Sequence, residues 1–128
     1  MKGQSFLTNI NSLTQRYLFI VITDQDEEQN YLIVPITAFR EDRNCKPLKG
    51  QDKNCILAAG DHPFIKNMSW VCYSKAIELS HAQISNGINK GVLMSQKDIP
   101  KKVLNKIQDG CKKTRMLPDE FTRFFRYF

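Results

Sequence analysis

Arg16-Tyr17-Leu18-Phe19-Ile20-Val21-Ile22-Thr23-Asp24 and, after a polar turn, Tyr31-Leu32-Ile33-Val34-Pro35-Ile36-Thr37 decide how this chain folds. Each is an apolar run of strand length, too short and too rich in Ile and Val for a helix, and each closes on a threonine. The stretch from Asp24 to Asn30 is acidic and polar, so the two runs read as a hairpin with Arg16 and Thr37 near one end of it. Pro35 lacks a backbone donor and is expected at an edge, a bulge or the exit of its strand.

Outward from the hairpin, Met1–Gln15 is polar with Phe6, Ile10 and Leu13 at helical spacing, and reads as a short helix or an arm. Phe39–Asn54 is a long charged loop around Pro47 and Gly50. Cys55-Ile56-Leu57 is a short strand running into the turn Gly60-Asp61-His62-Pro63-Phe64, and Ser69–Tyr73 is another strand, continued or followed by Ala76–Leu79. His81–Lys90 is ambiguous, and Val92-Leu93-Met94 adds a last strand.

From Ser95 the pattern changes. Ser95 with Asp98 resembles a capping box, Pro100 suits a first helical turn, Val103, Leu104 and Ile107 form an apolar stripe, and Gly110 is placed as a C-cap. After Pro118, Phe121, Phe124, Phe125 and Phe128 recur at helical spacing, as on a docking face. Strands first and helix last give an α+β chain, most economically a small twisted antiparallel barrel over residues 16–94 with a helical segment over 95–128. All 128 residues read as one domain.

The hydrophobic share of 41% and charged share of 25% are those of an ordinary globular protein. No run approaches the roughly 20 apolar residues that cross a bilayer, and no signal-peptide order opens the chain, so a cytoplasmic location and no membrane partner are expected. The four cysteines, Cys45, Cys55, Cys72 and Cys111, show no metal-ligand spacing and read as reduced thiols; neither metal nor cofactor is expected. The net charge of +6 is segregated: Lys97–Phe128 holds nine Lys or Arg against four acids. Such a segment attracts phosphate backbones or an acidic protein, or is a solvated lysine-rich face.

Signatures of nucleotide-dependent enzymes, metalloproteases and serine hydrolases are missing from the sequence. The remaining constellation suits cleavage of RNA by its own 2′-hydroxyl, which requires alignment, charge stabilisation and proton movement without metal. Arg16 supplies a fixed positive fork for phosphate oxygens and Thr37 a hydroxyl donor. His62 is either a general acid or base lining this site or a structural member of its turn. Arg40 and Arg43 are candidates to grip phosphates and Tyr17 to stack on a base, whereas Trp70 reads as core.

Arg16–Ile22 resembles the Arg-Pro-hydrophobic segment of the MazF/PemK toxin family, and Val34-Pro35-Ile36-Thr37 resembles its apolar-Pro/Ala-apolar-Thr strand. Ser69–Ile77 is similar to the Ser-hydrophobic run leading to that family's last barrel strands. The resemblance spans residues 16–94, with Tyr17 where proline is usual and no glycine-rich loop before Arg16. It implies an SH3-like barrel, a homodimer, and a toxin of a toxin–antitoxin module that cleaves single-stranded RNA as a metal-independent endoribonuclease. Arg16 and Thr37 would be its catalytic pair, and a small acidic antitoxin its partner. The alternative is a non-catalytic barrel that binds nucleic acid or protein.

Overall fold

The computed structural model describes residues 2–8, 18–38, 55–66 and 68–128, with residues 37 and 38 described through their backbone alone. The strands are β1 (Ser5–Thr8), β2 (Leu18–Val21), β3 (Asn30–Ala38), β4 (Ile56–Leu57), β5 (Ser69–Val71), β6 (Ile77–Ser80) and β7 (Leu93–Gln96). The helices are α1 (His81–Asn89) and α2 (Lys101–Lys113), with 3-10 segments at Tyr73–Lys75 and Asp119–Tyr127. The chain is therefore α+β, and its strands form one antiparallel sheet in the order β4-β5-β3-β2-β1-β7, with β6 also on β3.

Strands β2 and β3 are continuous apolar runs because both of their faces are covered. Leu18, Ile20 and Ile22 of the β2 run and Leu32, Val34 and Ile36 of β3 enter the larger core, with Val103, Leu104, Ile107 and Cys111 of α2 and Phe121 and Phe124 of the C-terminal segment. Phe19, Val21, Tyr31 and Ile33, which alternate with them, enter a second core with Ile84 and Ile88 of α1. The register pairs Leu18 with Ile36 and Val21 with Ile33.

The turn between β2 and β3 is organised by Asp26, whose carboxylate accepts from the backbone N–H groups of Glu28 and Asn30, both at 2.9 Å. Strand β3 has two partners on its other side: β6 along residues 30–33 and β5 along residues 36–38. Pro35 falls where one partner gives way to the other across the Tyr73–Lys75 turn. Its missing donor interrupts no ladder there, and its carbonyl accepts from the Cys72 N–H at 2.9 Å.

Several expectations are corrected. The N-terminal residues form strand β1 instead of a helix, with Phe6 and Leu7 facing different cores. Ser95 belongs to β7; α2 is capped by the extended Pro100 without a side-chain bond, and it runs through Gly110 to Lys113. Gly110 is buried within α2 and does not terminate it. The ambiguous stretch is α1, started by a capping box between Ser80 and Gln83. Gly87 of α1 lies so near Leu93 that an added Cβ would stand 2.7 Å from its Cδ1.

The Phe-rich tail is a 3-10 segment. Three residues per turn bring Phe121 and Phe124 onto one side, where both are buried. The sheet does not close into a barrel by strand pairing, since edge strands β4 and β7 share no ladder. Among the described residues no helix is long and apolar enough to cross a membrane.

Cysteine chemistry departs from expectation at one position. Cys72 is disulfide-bonded; Cys45 lies outside the described residues. Cys55 and Cys111 are free and buried, and burial pushes their thiols up to about 11 and about 12, so neither is a thiolate at neutral pH. Alkylation of the denatured, non-reduced chain, mapped by peptide mass, is therefore expected to modify Cys55 and Cys111 and to spare Cys72; modification of Cys72 would show it to be reduced.

Candidate functional site

Strand registers gather several chain ends at one end of the sheet. Leu7 is opposite Leu18, Leu18 opposite Ile36, Thr37 opposite Trp70, Ala38 opposite Ser69, and Ser69 opposite Leu57. The end of β1, the start of β2, the end of β3, the end of β4 and the start of β5 consequently share that end. Thr37 is placed there through its backbone. Arg16 and Tyr17, just before β2, and Arg40 and Arg43, just after β3, lie outside the described residues.

His62 is described fully, and its surroundings differ from those of a solvent-facing acid or base. The side chain is 1% exposed. The Phe64 N–H donates to Nδ1 at 2.9 Å, which makes Nδ1 the acceptor and places the proton on Nε2. Nε2–H then donates to the Lys97 carbonyl at 2.8 Å and lies 2.9 Å from Ser5 Oγ, while the Ser5 hydroxyl donates to the same carbonyl at 2.7 Å. Burial holds the imidazole below its ordinary pKa of 6.5, with the Lys97 carbonyl pulling the other way. The Ser5–His62 pair has the spacing of a nucleophile and its base, but Ser5 is itself 0% exposed and cannot meet a substrate.

The position of this cluster explains what it holds. His62 follows edge strand β4, Lys97 follows the opposite edge strand β7, and Ser5 begins β1. The two edges of the open sheet are thus stitched together by side-chain hydrogen bonds in place of a ladder. Ser5 and Lys97 had no local signal in the sequence, because they stand 57 and 35 residues from His62.

A second cluster pins the C-terminal segment to the hairpin turn. Arg123 pairs with Glu78 and lies 3.5 Å from Asp26, Asn30 donates to Glu78 at 3.3 Å, and the Asp24 N–H donates to the Tyr127 carbonyl at 2.9 Å. A pocket of about 170 Å³ lies here, lined by Asp26, Glu27, Glu28, Arg123, Arg126 and Tyr127. Asp26 is committed to the turn and Arg123 to its carboxylates, so the cluster is a structural tie.

The exposed side of α2 carries Lys101, Lys102, Lys106, Lys112 and Lys113 against the single acid Asp109. None of these lysines is ion-paired among the described residues, whereas Lys112 stands 5.5 Å over the Phe128 ring. Trp70 is 4% exposed and is core. Among the described residues no group of three or more His, Cys, Asp or Glu is arranged to hold a metal ion.

Compared with protein-family models, with curated proteins and with solved structures, the chain shows no match.

Proposed function

We propose that this protein is the toxin of a toxin–antitoxin module, a metal-independent endoribonuclease that cleaves single-stranded RNA at the sheet end where β2 starts and β3 finishes. The reading rests on the sequence motifs shared with MazF/PemK toxins and on one structural observation: Leu18 pairs with Ile36, the chain neighbour of Thr37. Arg16 is two residues from Leu18, so covalent geometry keeps its Cα within about 7 Å of that strand start. In the chain, Arg16 and Thr37 therefore adjoin the paired residues Leu18 and Ile36. Arg16 would neutralise the phosphorane and Thr37 donate to it, while the RNA's 2′-oxygen bonds to phosphorus with its proton lost to water, and the bond to the 5′-oxygen breaks as that oxygen takes a proton from water.

Arg40, Arg43 and Tyr17, a few residues from the same strand ends, would position the substrate. His62 has no part in this chemistry; it carries the frame. The antiparallel sheet whose edge strands β4 and β7 are joined through His62 and Lys97 supports an SH3-like reading of the fold. A homodimer and a small acidic antitoxin accompany this reading, and a cytoplasmic location follows from its substrate.

The test is incubation of purified protein with mixed single-stranded RNA in EDTA, reading both product ends. Cleavage leaving a 2′,3′-cyclic phosphate and a 5′-hydroxyl is expected. A second reading, a non-catalytic nucleic-acid-binding domain, is favoured by the exposed lysines of α2, which have no ion-pair partner among the described residues. It would take over if the RNA stays intact and binding survives Arg16→Ala and Thr37→Ala but drops on neutralising Lys102, Lys106 and Lys113.

A further inference from the structure

We infer that Phe64, with Lys66 beside it, is a stacking platform for an unpaired nucleobase of single-stranded RNA, an extension that rests on the RNA-directed reading above. Among the described residues Phe64 is the one aromatic side chain that is exposed, at 42%. Other phenylalanines find ring or cation partners: Phe6 with Phe19, Phe121 with Phe124, Phe125 with Phe128, and Arg123 over Phe124. Phe64 has no such partner among the described residues.

Its backbone is nonetheless held firmly. The Phe64 N–H is bound to His62 Nδ1, the Ile65 N–H donates to the His62 carbonyl at 2.8 Å, and the Gly60 N–H donates to the Ile65 carbonyl at 3.0 Å. The Asp61 carboxylate accepts from the Ala58 N–H at 2.9 Å, and Gly60 takes the left-handed φ of 94° that the turn requires. The buried His62 and Ile65 flank the exposed ring, at 1% and 4% exposure. A turn this constrained presents the ring to solvent without the ordering cost that a mobile loop would incur on binding.

The chemistry around the ring selects a nucleobase. Pro63 before it and Lys66 after it are exposed as well, and Lys66 has no carboxylate partner among the described residues. An aromatic face beside an ammonium matches a base beside its phosphate. The turn leaves β4 at Leu57 and re-enters β5 at Ser69, which is opposite Ala38, next to Thr37.

The experiment uses the full chain and a fluorescein-labelled single-stranded oligonucleotide of mixed sequence with 2′-O-methyl riboses, which removes the attacking hydroxyl. Binding is read by anisotropy. Phe64→Ala is expected to weaken it about 5- to 150-fold, the range for losing one stacked base, with an unchanged melting temperature because the ring is exposed. Phe64→Trp should keep the affinity and show indole quenching on binding. Wild-type affinity in Phe64→Ala, or in Phe64→Leu, overturns the platform; if natural RNA is still cleaved, the nuclease reading stands without it. Binding that depends on Phe64 without any cleavage keeps the platform and removes the nuclease. No binding by the wild type overturns the platform, and the nuclease reading falls only if natural RNA also stays intact.

Discussion

Arg16→Ala is expected to reduce RNA cleavage by a factor of about 10² to 10³, the usual consequence of removing one preorganised charge from a developing oxyanion. The phosphorane carries an extra negative charge that the ground-state phosphodiester lacks, so the loss should fall on kcat more than on KM. A lysine should rescue little, since an ammonium offers a point charge where a planar fork bridges two phosphate oxygens. Thr37→Val should cost less than Arg16→Ala, because it removes a neutral donor. Single-turnover rates on one defined oligoribonucleotide, with circular dichroism to show unchanged folding, separate these effects. Undiminished cleavage by Arg16→Ala would take Arg16 out of the mechanism.

The hairpin was legible because both its faces are covered: a strand buried on two sides is written as an unbroken apolar run, and β2 and β3 are such strands. The α2 stripe of Val103, Leu104 and Ile107 was legible because a helix buried on one side repeats every 3.6 residues. Strand β1 was not, since four residues carry too few periods to separate a strand from a helical turn. Helix α1 buries only Ile84 fully, so its apolar signal is faint; the Ser80 to Gln83 capping box was the cue available.

The site divides in the same way. That the start of β2 lies beside the end of β3, with Leu18 opposite Ile36, was legible through hairpin logic, which needs only local sequence. What His62 does was not, because its partners come from β1 and from beyond β7, and a hydrogen bond across such separations leaves no pattern in the chain. The exposed Phe64 was hidden for a related reason: burial of the residues on either side depends on edges that meet only in the folded sheet.

That joining of edges makes His62 a side chain of large consequence for stability. His62→Ala would leave the Phe64 N–H without its acceptor and the Lys97 carbonyl without one of its donors, and would open a cavity at a site that is 1% exposed. Unsatisfied buried groups and lost packing together amount to about 3 kcal/mol or more, roughly a 10 °C fall in melting temperature for a domain of this size. The bond pattern also dictates a pH dependence. Protonating the folded imidazole would place a second N–H on Nδ1, facing the Phe64 N–H, and burial already disfavours the charged ring. The unfolded chain takes up a proton near 6.5 and the folded chain only at lower pH, so the unfolded state holds more protons between these values and stability falls as pH drops below about 6.5. Urea unfolding of the wild type and His62→Asn from pH 5 to pH 8 tests this: the wild type should lose its advantage as the pH falls. A constant difference across that range would mean that the ring carries the same proton folded and unfolded.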